Sequence, residues 1–263
     1  MNFSEFEPAG YKAWHNKASL ELNGKSFEET LKWSINNDVQ FEAYADQYLA
    51  TSDELEVIQS AQKKAINFKF VNHADVARKS MTATILANNK SASDDTINEI
   101  SECLFAVNDL LKQETQHPSD SEIIIEVALQ NNYLLTVAKL RALRFLIARL
   151  KTSHESSRSI TIKGKTDDKQ YETDNEHVNI VRAATMSMAG IVGGCDYIEV
   201  VPFDKKQNEF SSRIAKNIIR ILNEEAYLNE VGDPAAGSYF IENLTYELIN
   251  FAWERFVAEA MKG

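Results

Sequence analysis

Short apolar runs alternate with helix-spaced apolar positions through the second half of this chain, and that alternation limits the fold more than any other feature. Ile123, Ile124, Ile125, Glu126, Val127 and Ala128 form a β-branched run that reads as a buried strand. Asn131 and Asn132 end it. Val137, Leu140, Leu143, Ile147 and Leu150 then share one face of a helix expected over 133–150. A second strand is expected over 159–163. Thr173 and Glu176 have the spacing of a capping box, opening a helix over 174–192 through Val178, Val181, Met188 and Val192. Gly193-Gly194 suits its C-terminal cap. A third strand is expected over 197–203, followed by a helix from Ser211 through Ile214, Ile218, Ile221 and Leu222. Asp233-Pro234 and Gly237 mark a turn. Tyr239 to Ile241 reads as a fourth extended piece before a last helix from Thr245, buried through Leu248, Ile249, Ala252, Phe256 and Ala260. Four strand–helix units imply a parallel sheet with right-handed crossovers. Half of a (β/α)8 barrel and an open doubly wound sheet both satisfy that pattern.

The first half is less regular. A short helix is expected over 27–33, an extended segment over 39–44, a helix over 52–64 and a strand over 67–71. Asn88 to Asp95 is polar and reads as an exposed loop. Ile97, Ile100, Leu104, Val107 and Leu111 give a clear amphipathic helix over 96–111. At most two strands precede residue 115. A closed eight-unit barrel takes roughly 250 residues. The chain has 263 residues but not the units. The expected fold class is therefore α/β, with a TIM-barrel-like parallel sheet of fewer than eight strands. The strand over 197–201 is expected inside that sheet.

Lys plus Arg is 28 and Asp plus Glu is 39, a formal charge of −11 with no basic run, which argues against nucleic acid. Cys103 and Cys195 have no metal-ligand spacing and read as reduced structural thiols. No apolar run nears the ~20 residues of a membrane span. The acidic start, Met-Asn-Phe-Ser-Glu-Phe-Glu, lacks a signal-peptide core. The expected compartment is the cytoplasm, without membrane association.

A series of ordered motifs carries a family resemblance. Val137-Ala-Lys-Leu-Arg-Ala-Leu-Arg-Phe-Leu146 looks like the E-x-A-K-L-R-A-x-R helix of the methylmalonyl-CoA mutase family. His177-Val-Asn-Ile-Val-Arg182 resembles its hVNmlRt helix, and Gly193-Gly194 falls at its glycine pair. Pro202-Phe203-Asp204 resembles PFD, and Phe210-Ser-Ser-Arg-Ile-Ala-Lys-Asn217 resembles FSxRIARN. Ile221-Leu222-Asn223-Glu224-Glu225 is similar to ILxEE, and Asp233-Pro-Ala-Ala-Gly-Ser-Tyr239 to DPaaGSYY. Glu242-Asn-Leu-Thr245 and Ala252-Trp253 follow in order. The likeness runs over 121–263. A weaker one, through Trp14, Gly24-Lys25 and Phe27-Glu-Glu-Thr-Leu-Lys-Trp33, resembles the family's N-terminal leader. The expected division is a leader arm over 1–65 and a mutase-type barrel-like domain over 66–263.

The resemblance implies more about function than the residues alone. The family's catalytic subunit carries a Q-T-S-G-type segment before its VNxxRT helix. Lys163-Gly-Lys-Thr-Asp-Asp-Lys-Gln-Tyr-Glu172 stands there in this chain and is closer to the small, non-catalytic subunit. The cobalamin domain's D-x-H-x-x-G is not met at any of the five histidines, since Ala13, Val71, Thr115, Thr152 and Asn175 stand two places before them. The likeness ends near where that domain would begin. The expectation is a small-subunit-like partner of a catalytic large subunit, binding no cofactor itself, with adenosylcobalamin supplied by a partner or further domain. An active component working with a cobalamin protein in trans, and a diverged acyl-CoA or anion-binding module, remain alternatives. Self-association to a dimer is expected, because an open sheet leaves strand edges to be covered.

No catalytic or metal residue is expected. The substrate-site candidates are Asn179, Arg182, Asp204, Arg213 and Asn217. Arg182 lies one turn from Asn179, where a guanidinium can meet an acyl-CoA phosphate or an internal carboxylate. Asp204 follows a strand C-terminus, the ligand end of barrels, yet can equally cap a turn. Arg213 and Asn217 are one turn apart, placed to fix their helix against residues 202–204. His177 has no second ligand in sequence. Arg141, Arg144 and Arg149 are expected at the surface or an interface, and Trp33 and Trp253 in core or interface.

Overall fold

A computed structural model describes residues 10–35, 39–62, 83–86, 96–112, 122–206 and 208–261, with the backbone alone at 83–86. Strand β4 (Ile123–Leu129) forms because its β-branched run pairs on both sides. It lies between β3 (Ala83–Leu86) and β5 (Ile160–Thr166), and β5 pairs with β6 (Tyr197–Glu199). All three pairings are parallel and the strand order is sequential, β3-β4-β5-β6. A doubly wound sheet reverses its order at a switch point. This one does not reverse among the described residues, so the chain is an incomplete barrel-like α/β fold.

One sheet face is apolar. Ile123, Ile125, Val127, Leu129, Ile162 and Ile198 are buried there in a continuous core. Helices α4 (Thr96–Lys112), α5 (Tyr133–Ser153) and α6 (Val178–Val192) pack side by side, and α8 (Tyr239–Ala260) lies against α4 and α5. Helix α5 starts where the Asn132 side chain accepts the Leu135 N–H at 3.3 Å. Every α5 residue from 135 to 143 is buried, because neighbours surround the helix. In α6, a Cβ at Gly190 would lie 2.8 Å from Ile198 Cδ1. The glycine lets α6 sit close against β6.

The opposite face is charged. Lys163 pairs with Glu126 at 2.8 Å and with Glu199 at 2.6 Å, while Lys165 lies 3.5 Å from Glu199. Burial would lower the Lys163 pKa, but its two carboxylate partners outweigh that and hold it above the usual lysine value.

Several expectations change. Three strands precede residue 115 among the described residues, not at most two. Helix α2 (Phe27–Leu31) stops at Leu31, and β1 (Lys32–Ile35) pairs antiparallel with β2 (Val39–Glu42). Lys32 bonds both Glu28 and Glu42, at 2.9 and 3.0 Å, which suits a turn from helix to hairpin there. The strand expected over 67–71 and the loop over 88–95 lie outside the described residues.

Strand β6 has three residues and pairs only with β5 among the described residues, so it is an edge, not an internal strand. Side chains replace the ladder beyond it. Val201 N–H donates to Thr166 Oγ1 at 2.8 Å, and the Tyr171 hydroxyl donates to Val201 O at 2.8 Å. Helix α6 begins at Val178 rather than near 174, without a capping box. The Asn179 side chain holds both backbone groups of Glu172, and Thr173 turns to Asp174 instead. Val181, expected inside, is exposed, and Asn179, Ala183, Met186 and Gly190 face the core.

Tyr239 to Ile241 is the first turn of α8, not a strand. Asp233 (φ 52°) and Gly237 (φ 85°) turn the chain, and Glu242 accepts the Gly237 N–H at 3.1 Å. That carboxylate pins the start of the helix. Residues 33–49 dock here too. Asn243 accepts from Leu49 N–H at 2.8 Å and donates to Gln47 O at 2.9 Å, while Trp33 and Phe41 meet the Phe240 ring.

Cys103 and Cys195 are free and buried. Burial pushes each thiol up to about 12, so the reactive thiolate is scarce at neutral pH. Both are expected to resist an aromatic disulfide reagent at pH 8 in the native chain and to react at once in guanidinium. Stoichiometric labelling of the native protein within minutes would refute this packing.

Candidate functional site

The C-terminal ends of β5 and β6 bring the candidate residues together. Asn179 is 1% exposed. Its Oδ1 accepts Glu172 N–H at 2.8 Å, and its Nδ2 donates to Glu172 O at 2.8 Å and Phe203 O at 3.1 Å. It thus ties the β5–α6 loop to the segment after β6. Arg182, one turn on, pairs with the Glu172 carboxylate.

Asp204 closes a local turn. Its carboxylate accepts from Lys206 N–H at 2.9 Å and Asn208 Nδ2 at 2.8 Å. Burial would raise this carboxyl, but hydrogen bonds from Lys206, Ser211 and Asn208 win and hold it below the usual aspartate range. Helix α7 (Glu209–Arg220) starts beside it, with Asn208 capping Ser211 N–H at 2.9 Å. Arg213 is exposed over the Phe210 ring at 5.7 Å, and Phe210 meets Phe203 edge-on at 6.4 Å. Asn217 is half-buried one turn further along α7, away from the loop cluster. Asn179, Arg182 and Asp204 therefore share one neighbourhood, Arg213 joins it through two rings, and Asn217 does not reach it. His177 precedes α6, with its ring 5.6 Å from Phe203.

Sequence reasoning missed Tyr171, which lies beneath this cluster. Its hydroxyl bridges Val201 O and Thr166 Oγ1, the latter at 3.2 Å. Burial chiefly pushes its pKa up to about 12, with Asp168 and Asp167 adding to the effect and the Thr166 bond opposing it. The folded value lies above the ordinary one near 10. The stability it contributes is therefore complete below pH ~10 and is lost as pH rises through about 12. Thermal melts from pH 9 to 12 are expected to show Tyr171→Phe losing part of the alkaline decline. Parallel decline in both proteins would count against the assignment.

It also missed the buried charges. Arg141, expected at the surface or an interface, is fully buried inside the chain, with Nη1 2.6 Å from Asp233 and Nη2 2.7 Å from Glu242. Gln59 donates to Glu242 at 2.9 Å, and Gln62 donates to Arg141 O at 2.9 Å. Arg144 is half-buried and bonds Gly194 O and Asp196. Arg149 covers the half-buried Trp253 ring at 4.0 Å. A signal existed: Arg141 falls four residues after Val137, on the apolar face.

A family profile described as methylmalonyl-CoA mutase matches residues 121–263, just over half of the chain. The chain belongs to the methylmalonyl-CoA mutase family. A protein of Porphyromonas gingivalis named methylmalonyl-CoA mutase small subunit is 35% identical over 146 residues, covering 52% of this chain and 24% of that protein. A probable methylmalonyl-CoA mutase small subunit of Mycobacterium bovis is 31% identical over 191 residues, covering 69% and 30% respectively. A methylmalonyl-CoA mutase of Rhizobium meliloti is 35% identical over 133 residues, covering 48% and 19%. The chain thus spans less than a third of each of these relatives. The matched region holds β4 to α8, and with them Arg141, Asp233, Glu242 and all five candidate residues.

No described helix is long and apolar enough to cross a membrane. Among the described residues no cluster of three or more His, Cys, Asp or Glu is placed to hold a metal ion.

Proposed function

We propose that this chain is a small-subunit-type, non-catalytic barrel component. It associates with a catalytic large subunit in the cobalamin-dependent interconversion of methylmalonyl-CoA and succinyl-CoA. One observation carries the reading. The stretch 163–172, where the catalytic subunit it resembles has its Q-T-S-G-type segment, consists largely of side chains bonded within the protein. Lys163 holds Glu126 and Glu199, Thr166 holds Val201, Tyr171 holds Val201 and Thr166, and Glu172 holds Arg182. Groups so engaged suit positioning of loops better than proton or substrate transfer. Any contact with acyl-CoA falls, in this proposal, to Arg182 and Arg213, whose guanidinium groups suit phosphate.

Adenosylcobalamin supplies the radical chemistry of that reaction. The described histidines do not fit a cobalt ligand. His15 lies against Phe27 with ring centroids 4.3 Å apart, His154 Nε2 is 2.9 Å from Asn108 Oδ1, and His177 sits against Phe203. No step through the cofactor is derived for this chain, and the partner is proposed to hold it. The test mixes the purified chain with the large mutase subunit of the same organism at ~10 μM, where a standard-size interface is populated. Light scattering is expected to give a heterodimer mass, and the chain alone to give no succinyl-CoA. Two separate masses in the mixture, or turnover by the repurified chain alone, overturns the reading.

A further inference from the structure

The outer face of α7 is basic in an acidic chain. Arg213, Lys216 and Arg220 follow one another at steps of three and four, so they form one exposed stripe along the helix. Glu209 and Glu224 lie at its two ends. Beside the stripe, Phe210 and Ile221 are exposed on one side of the helix, about three turns apart. Helix α3 (Ser52–Gln62) has the opposite character. Its inner side, through Leu55 and Ile58, is buried. Asp53, Glu56 and Val57, three or four positions apart, are exposed on its outer side, and the exposed Leu49 precedes the helix. Each helix thus sets exposed apolar side chains beside charge of one sign, and the two signs are opposite. Helix α3 rests on α5 and α7 on α6, so the two faces belong to different parts of the chain.

We infer that the acidic face of α3 on one copy of this chain docks on the basic face of α7 on a second copy. Two copies at −11 each repel wherever like faces meet, so contact is confined to surfaces of opposite sign. Asp53 and Glu56 then meet Lys216 and Arg220, while Val57 and Leu49 cover Phe210 and Ile221. The contact is heterologous, because it uses a different surface on each copy. Anionic lipid also suits a basic helix with apolar neighbours, but it repels a chain that is acidic overall and leaves α3 without a counterpart. A second copy accounts for both faces at once. Two single helix faces make less than a standard interface, so the contact is weak, with a Kd on the order of 100 μM. At ~10 μM the chain is then mostly monomer, and this surface stands independently of the small-subunit reading.

Sedimentation equilibrium of the whole chain, with no other protein present, tests it. The average mass is expected to rise by roughly half between ~10 and ~300 μM. Lys216→Glu with Arg220→Glu is expected to abolish the rise, and so is Asp53→Lys with Glu56→Lys, since each sets like charges in the contact. Mixing the two variants brings opposite signs together again and is expected to restore the rise. A monomer mass for the unaltered chain at ~300 μM overturns the proposal, whether or not the chain binds anionic vesicles. Variants that associate as the unaltered chain does, or a mixture that stays monomeric, overturn it equally. All four positions are exposed, so the circular dichroism of each variant is expected to be unchanged. Should a reversal not fold, the neutral pairs Lys216→Gln with Arg220→Gln and Asp53→Asn with Glu56→Gln take its place. Each is expected to remove at least about half of the rise, and an undiminished rise in both overturns the docking.

Discussion

Arg141→Met is expected to destabilise the chain by about 3–5 kcal/mol, the cost of removing one partner from a buried ion pair. Asp233 and Glu242 would remain, with side chains 2% and 0% exposed. Their carboxylates would lose charge-assisted bonds of 2.6 and 2.7 Å in an interior that cannot hydrate them. For a chain of this size the melting midpoint should fall on the order of 10 °C. Arg141→Lys keeps the charge but not the fork that reaches both carboxylates, and should recover less than half of the loss. Urea unfolding monitored by circular dichroism reads both variants. A change below about 1 kcal/mol in Arg141→Met would show that the three charges are not buried together as described.

The second large effect is at Lys139. This side chain, 2% exposed, bonds Glu99 at 3.0 Å and Ala128 O at 3.3 Å, joining α5 to α4 and to the end of β4. Lys139→Met strands the Glu99 carboxylate, 6% exposed, and should also cost about 3–5 kcal/mol. Adding Glu99→Leu removes the stranded charge. The double variant is expected to regain most of that loss, falling short because Ala128 O stays unpaired. If the double variant is no more stable than Lys139→Met, the two charges are not an isolated buried pair.

These two sites mark where the sequence stopped being legible. The pattern of β4 and of α4 could be read because one apolar face repeated cleanly, and those residues are buried. Helix α5 could be read as a helix but not as one enclosed on nearly all sides. Lys139, Arg141 and Arg144 look like a solvated face until their carboxylate partners, 40 to 101 residues away, are known. The start of α6 depends on Asn179 reaching back to Glu172, which no local pattern encodes. Tyr239 to Ile241 is three residues long, too short for periodicity to separate a strand from a helix turn. The candidate site was legible in part. Asn179, Arg182 and Asp204 do meet at a strand end, while Tyr171 beneath them gave no signal in a polar loop.

The charges on the other side of the sheet bear on how an incomplete barrel-like fold holds together. Closed barrels fill their middle with layers of branched apolar side chains, so removing strands would bare oil to water. Here Glu126, Lys163, Lys165 and Glu199 answer one another across three neighbouring strands. These ions are partnered within the sheet itself, so this face is satisfied by charge pairing rather than by apolar packing alone. The hydrophobic investment of this sheet lies on its helix side, where α4, α5, α6 and α8 provide the cover. The described arc therefore draws its cohesion from the helix side, and its charged side depends on ions answering ions rather than on a filled middle.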